Sequence, residues 1–327
     1  MRAIVIARPG GPEVLEPRDD VPDPVPAAGE VRVRVHASAV NRADLMQREG
    51  RYPAPSGVPA DIPGLEYAGI VDRLGTGVSA FVEGDAVMGL VGGGGYAEYV
   101  VANAAEVMPA PAALPLAHAA AIPEVFLTAH DALVTQAGLR RGERVLVHAA
   151  GSGVGTAAVQ LASAIGAHVF GTARSAWKLE RCRAFGMAAG IDTTREDFAE
   201  VVLRETQGEG VDVVLDLVGG DALPGNLRAL AQRGRLIVVG LVAGATATLD
   251  MRLLLRKRLH LRGTVMRSRS AAEKAQVASA FRTDALALFD SGRLSPVIHE
   301  TLPMAEAARA HAILQDNANF GKVLLVW

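Results

Sequence analysis

One run constrains this chain more than any other: RVLVHAAGSGVGTAAVQLASAIG, residues 144–166. RVLVHA is a compact apolar strand, the next few residues are almost all small, and TAAVQLASAIG is an apolar helix that stops at a glycine. A strand, a tight turn and a helix start leave unpaired backbone N–H groups aimed at one point, with the helix dipole behind them. That arrangement holds a pyrophosphate. The turn does not spell G-x-G-x-x-G, however. Aligned on its last glycine it reads Ala150-Gly151-Ser152-Gly153-Val154-Gly155. Ala150 can stand for the first glycine if its φ is negative. Ser152 is small and brings a hydroxyl, and Gly155 is kept where the helix packs on the strand. A plain glycine-rich turn has similar letters, so the next strand must decide.

That strand is HVFGTA, residues 168–173. An NAD site usually carries Asp or Glu about 20 residues past the turn to hold the ribose 2′-hydroxyl. Here residues 171–178 read GTARSAWK, with no acid and with Arg174, Ser175 and Lys178 in its place. Two cations and a hydroxyl suit a 2′-phosphate, so the expected cofactor is NADPH. SAWKLERCRAFG follows as a helix ended by Gly186, then VDVVLDLVG (211–219), GRLIVVGLV (234–242) and LHLRGTV (259–265) as further strands. Strands alternating with helices predict a doubly wound parallel sheet.

The chain on either side follows another pattern. Residues 1–122 hold short β-like runs, RAIVIA, EVRVRVHA, YAGIVDRLG, DAVMGLV and YAEYVVA, punctuated by glycine and proline, which predicts a mostly antiparallel β domain. Segment 44–63 contains four prolines and is expected to be a long loop. Beyond residue 266 the chain turns helical and ends in a strand, GKVLLVW. A length of 327 residues suits two domains. The formal net charge of −2 gives no reason to expect nucleic acid or an anionic membrane as partner. Cys182 is the only cysteine, so no internal disulfide and no multi-cysteine zinc site can form. The first residues lack a signal-length apolar run, and glycines, His148 and Gln160 interrupt the apolar stretch 145–173, so a cytoplasmic protein without a membrane span is expected.

Four segments together resemble the zinc-free quinone oxidoreductases of the medium-chain dehydrogenase/reductase superfamily, with most similarity to the tumour-suppressor-inducible branch. They are VNRADLMQREGRYPAPSG (40–57), PGLEYAGIV (63–71), HAAGSGVGTAAVQLA (148–162) and VMRSRS (265–270). The resemblance implies an α/β architecture: a GroES-like β domain from residues 1–122 and 267–327, and an inserted NADPH-binding Rossmann domain from 123–266, with cofactor and substrate meeting in the cleft. It also implies a homodimer paired through edge strands, for which LIVVGLV and LHLRGTV are the candidates. The superfamily's alcohol dehydrogenases hold zinc on Cys, His and Cys or acid side chains. Here Asn41 stands at the first cysteine, and PGLEYAG keeps Glu66 without the histidine of the usual G-H-E, so the ligand count fails.

Carried over onto this sequence, Asn41 and Tyr52 line the nicotinamide and substrate, with Asp44 in the same motif positioning a water or side chain. Thr128 neighbours the nicotinamide, and Lys178 takes the 2′-phosphate. Thr193 stands where a tyrosine often assists that lysine. The backbones of Gly240, Leu241 and Val242 and of Thr264, Val265 and Met266 flank the nicotinamide. Asn317 and Lys322 lie in a C-terminal segment expected to close over the cofactor. The function implied is zinc-independent reduction of quinones or other conjugated carbonyls by NADPH, the proton coming from Tyr52 or solvent. Two alternatives are an enoyl-thioester reductase and a non-catalytic NADPH-binding protein with a structural or RNA-binding role.

Overall fold

The structure is a computed structural model that describes residues 1–327. The chain divides into two compact units, one made of Met1–Leu127 with Met266–Trp327, the other of Thr128–Val265.

The Thr128–Val265 unit is built on six parallel strands. In chain order they are Arg144–Val147, His168–Ala173, Met187–Asp192, Val211–Asp216, Leu230–Val238 and His260–Gly263. In space they run third, second, first, fourth, fifth, sixth, and every pairing is parallel. This is the doubly wound order, and it reverses between the first and fourth strands, where such sheets bind ligands at their carboxyl ends. Val145, Leu146, Val147, Val213, Val214 and Leu215 are all inaccessible to solvent, which explains why these strands read as unbroken apolar runs rather than alternating ones. The helix Gly153–Ile165 buries Gly155 to Ala162 and ends at Gly166 in the left-handed conformation. The fifth strand stops at Val238, so Leu241 and Val242, read as its tail, lie beyond it and are exposed.

The other unit carries a seven-stranded sheet to which both chain ends contribute. Its order is Ile298–Pro303, Lys322–Val326, Glu30–Ala39, Glu66–Leu74, Ala86–Leu90, Met108–Pro109, with Tyr99–Asn103 paired to Glu30–Ala39. Only the pairing of Ile298–Pro303 with Lys322–Val326 is parallel. Val31, Val33, Tyr67, Val71 and Val87 form one core on this sheet. The segment expected as a continuous loop over 44–63 instead begins inside a helix, Arg42–Arg48. Its nucleus is a cap around Asn41: the Asn41 amide donates to Asp44 Oδ2 at 2.8 Å, and the Asp44 amide donates back to the Asn41 carbonyl at 3.0 Å, which starts a helix where proline content alone predicts none. No helix is long and apolar enough to cross a membrane.

Candidate active site

The glycine turn of the Thr128–Val265 unit follows from its local conformations. Ala150 has no positive φ; the left-handed residue is its neighbour Ala149, at φ +47. Ala150 therefore replaces a glycine without strain. Gly155 has no substitute, because a Cβ there would sit 2.3 Å from the carbonyl oxygen of Ala149. Ser152 caps the helix, its Oγ accepting from the Gly155 amide at 3.0 Å, which leaves its own hydrogen to donate. Gly153 and Val154 open the helix beside it.

The strand after this helix delivers Arg174 and Ser175 to the start of helix Ala176–Arg183, with Ser175 as the residue before its first turn. Lys178 lies one turn in. A Cβ on Gly151 would meet its Cβ and Cδ at 2.9 Å, so the lysine stem crosses directly over the glycine turn. Its ammonium lies 5.4 Å from the centre of the Trp177 ring. Thr193 comes to the same end of the sheet, its amide donating to the Ala173 carbonyl at 3.0 Å. The Gly240 amide donates to Asp216 O at the end of the fourth strand, and the Thr264 amide to Val238 O. Thr128 is buried, and its hydroxyl has no hydrogen-bond partner. Val265 is half exposed.

Beneath this rim runs a buried polar chain that the sequence did not reveal. His148 Nε2 meets Asn226 Oδ1 at 2.7 Å, and His148 Nδ1 meets Thr172 Oγ1 at 2.9 Å. Asn226 Nδ2 donates to Asp216 Oδ2 at 2.9 Å. That last bond fixes the amide with its oxygen toward the histidine. His148 therefore carries its proton on Nε2 and accepts from the threonine hydroxyl on Nδ1. Burial lowers the His148 pKa, which keeps the ring neutral. Asp216 also accepts from the Val218 and Gly219 amides. The chain ties the ends of three strands to helix Ala222–Ala229 under the glycine turn.

In the other unit the candidate residues gather around Glu66, which is inaccessible to solvent. Glu66 Oε1 accepts from Asn41 Nδ2 at 2.8 Å and pairs with the Lys322 ammonium at 2.7 Å. Its Oε2 accepts from the backbone amide of Glu124 at 2.8 Å. Asn41 Nδ2 also donates to Ala39 O, and Asn41 Oδ1 accepts from Lys322. Both amide hydrogens are thus engaged, so Asn41 holds its neighbours and has none left for a substrate. Asp44 is likewise inaccessible; it accepts from the Asn41 and Gly64 amides at 2.8 and 3.1 Å and from Tyr96 Oη. Burial, stronger than these bonds, pushes its carboxyl up to about 6. Asp44 was expected to position a water or a side chain; it holds the Tyr96 hydroxyl and also fastens helix Arg42–Arg48 to Gly64.

Lys322 was expected in a closing segment. It opens a central strand of the sheet, with its ammonium on Val40 O at 2.8 Å as well as on Asn41 and Glu66. A buried ammonium holding three oxygens cannot swing over a cofactor. Asn317 is exposed after helix Ala307–Gln315 and accepts from Arg42 at 2.8 Å, so this segment is tied to helix Arg42–Arg48. Tyr52 is partly buried under Arg267, whose guanidinium lies 4.7 Å from the ring centre. Arg267 also donates to Gly92 O, Tyr52 O and Gln47 Oε1, which pins the two loops that flank the ring. Met266, Arg267 and Glu124 share the wall of a small cavity with Leu65, Leu90 and Val91. Arg267 was visible only as a letter in VMRSRS, and Glu124 was not singled out by the sequence.

Two family models match: the alcohol dehydrogenase GroES-like domain over residues 27–112 and the zinc-binding dehydrogenase domain over 153–282. The quinone oxidoreductase of Lama guanicoe is 35% identical over the whole of this chain and 97% of its own length. A solved Escherichia coli quinone oxidoreductase complexed with NADPH superposes with a TM-score of 0.89 at 31% identity, covering both chains completely. The chain belongs to the quinone oxidoreductase family of the medium-chain dehydrogenase/reductase superfamily. A solved NAD-dependent alcohol dehydrogenase is 36% identical, also with a TM-score of 0.89 and complete coverage of both chains.

Within this quinone oxidoreductase-family chain, no three His, Cys, Asp or Glu side chains come together as a metal-ligating group, although one matched domain is described as zinc-binding. The cation beside Glu66 is Lys322. Cys182 lies buried on helix Ala176–Arg183, and burial pushes its thiol up to about 11.

Proposed function

We propose that this protein is a zinc-independent reductase that passes hydride from NADPH to quinones or other conjugated carbonyls. The observation that carries the reading is the Lys178 stem lying over the Gly151 turn, at the end of a strand that has no acid for a ribose 2′-hydroxyl. The residues present fit that cofactor. The amides opening helix Gly153–Ile165 and the Ser152 hydroxyl would hold the pyrophosphate, and Lys178 with Arg174 and Ser175 the 2′-phosphate. The unpartnered Thr128 hydroxyl is a buried polar group waiting for a ligand.

When bound, NADPH supplies a hydride. The chain's residues must then orient the acceptor, exclude water and manage a proton. Zinc independence is supported by the donor set: Asn41 offers no thiolate, and Lys322 already neutralises Glu66. Without a Lewis acid, the charge arriving on a carbonyl oxygen has to be delocalised by the acceptor, which favours quinones and enones over saturated ketones. The same reading takes the chain as a homodimer paired along the exposed edge strand His260–Gly263.

The test is NADPH and NADH binding and oxidation with a small quinone, before and after exhaustive chelation. One charge-assisted contact contributes about 1.5–3 kcal/mol, so Lys178→Ala should weaken NADPH about tenfold or more and leave NADH nearly unchanged. Chelation should leave turnover intact. Equal affinity for both cofactors in the unmodified protein, or rapid reduction of saturated ketones with no quinone or enone turnover, would overturn the reading.

A further inference from the structure

Glu124 enters the site through its backbone. Pro123 opens the helix Pro123–His130, and the Glu124 amide in its first turn donates to Glu66 Oε2 at 2.8 Å. A carboxylate in a first helical turn usually serves the free amides there. Here Glu66 fills that role. The Glu124 side chain lines the small cavity with Leu65, Val91, Met266 and Arg267. Two of the cations nearby are engaged elsewhere: Lys322 by Glu66, Asn41 and Val40, and Arg267 by Gly92, Tyr52 and Gln47. Lys274 sits on the same cavity wall.

We propose that Glu124 is the proton donor of this reductase, delivering its carboxyl hydrogen to the acceptor oxygen from the wall of that cavity. The assignment rests on the reductase reading given above. The step balances simply. Once the acceptor has taken a hydride, its oxygen carries the negative charge. The Glu124 O–H bond breaks, an O–H bond forms on the acceptor, and Glu124 is left as carboxylate until water reprotonates it. One NADPH and one proton are consumed.

Three of the competing groups fail on geometry and the fourth on its acidity. Asp44 is sealed from solvent. Glu66 is a carboxylate held by an ammonium, an amide side chain and a backbone N–H. Asn41 has no hydrogen free. Tyr52 is partly buried, and that burial raises its hydroxyl further above its ordinary value. Around Glu124, enclosure and the adjacent Glu66 carboxylate push the carboxyl up to about 8, with Asp44 adding to them and Lys322 and Arg267 opposing. A donor is most effective when its pKa lies near the working pH.

The experiment uses the full chain and the Glu124→Gln variant. Infrared difference spectroscopy between the two should show a protonated carboxyl at neutral pH that disappears as pH rises through about 8. Glu124→Gln should bind NADPH with unchanged affinity, lose on the order of 100-fold in kcat with a quinone, and lack the fall in kcat expected of the unmodified protein over the same pH range. Glu124→Asp keeps an acid and should keep that fall, with a lower kcat, which holds the proposal open to test if Glu124→Gln misfolds. An ionised Glu124 at neutral pH would overturn the assignment, as would a Glu124→Gln variant that retains both kcat and the alkaline fall. Failure of the reductase reading looks different: the unmodified protein would then oxidise NADPH with no quinone or enone, and the donor role would fall with it whatever the infrared band shows.

Discussion

In the Thr128–Val265 unit the buried polar chain His148–Thr172–Asn226–Asp216 carries a single formal charge, and that charge is met by two backbone amides and a side-chain amide. In the other unit the cluster around Glu66 draws on Lys322, Asp44 and Glu124 within a few ångströms of backbone caps and a central strand. The first network has one satisfied arrangement, with its tautomer and amide orientation fixed. It serves to hold strand ends still beneath the glycine turn. The second contains carboxyls whose pKa values have been pushed to about 6 and about 8, so its charge state can change near neutrality. A rigid network with one fixed arrangement suits binding; a network with a titratable member suits proton transfer.

The comparison breaks most visibly if Lys322 is removed. Lys322→Met would leave Glu66 buried without its cation. Breaking a buried pair by deleting one partner costs about 3–5 kcal/mol, and denaturant unfolding should show a loss of that size. Adding Glu66→Gln to the same chain should restore most of it, since the stranded charge is then gone. A Lys322→Met variant as stable as the parent would show that the cluster does not depend on the ion pair.

A smaller effect is expected in the rigid network. Asn226→Leu leaves His148 Nε2–H and one Asp216 oxygen without a partner, and a buried unsatisfied group costs about 1–3 kcal/mol. Denaturant unfolding should report that loss, and NADPH affinity should fall because the glycine turn rests on these strand ends. Wild-type stability together with wild-type affinity would remove the network from any role in binding.

Much of this was legible in the sequence, and the illegible parts share one physical cause. The parallel sheet could be read because strands buried on both faces appear as apolar runs, and because each is punctuated by a glycine or a helix cap. The glycine turn around Gly151 could be read because a run of small residues stands between an apolar strand and an apolar helix. The helix Arg42–Arg48 was missed because its signal, Asn41 followed three residues later by Asp44, is the reciprocal-cap pattern with Asn and Asp in place of the usual Ser or Thr and Glu. The contacts of Asp44, Lys322, Glu124 and Arg267 were not legible because each depends on a partner far along the chain. Lys322 lies 281 residues from Asn41, and Arg267 lies 220 from Gln47. A sequence shows which side chains can form hydrogen bonds; only the fold shows which of those bonds are already made.

The smallest expected effect separates the two candidate proton donors. Tyr52→Phe removes one hydroxyl and leaves the ring under the Arg267 guanidinium, where the cation–ring contact at 4.7 Å persists. The bonds from Arg267 to Gly92, Tyr52 O and Gln47 do not involve the hydroxyl, so the loops should keep their places. With Glu124 as donor, kcat/KM for a small quinone should fall only several-fold, with a larger loss for a bulky acceptor that presses against the ring. Stopped-flow oxidation of NADPH by one small and one bulky quinone measures this directly. A loss on the order of 100-fold that is the same for both acceptors is the signature of a missing general acid. It would move the proton from Glu124 to Tyr52, and the charged cluster would then serve only to hold the site in place.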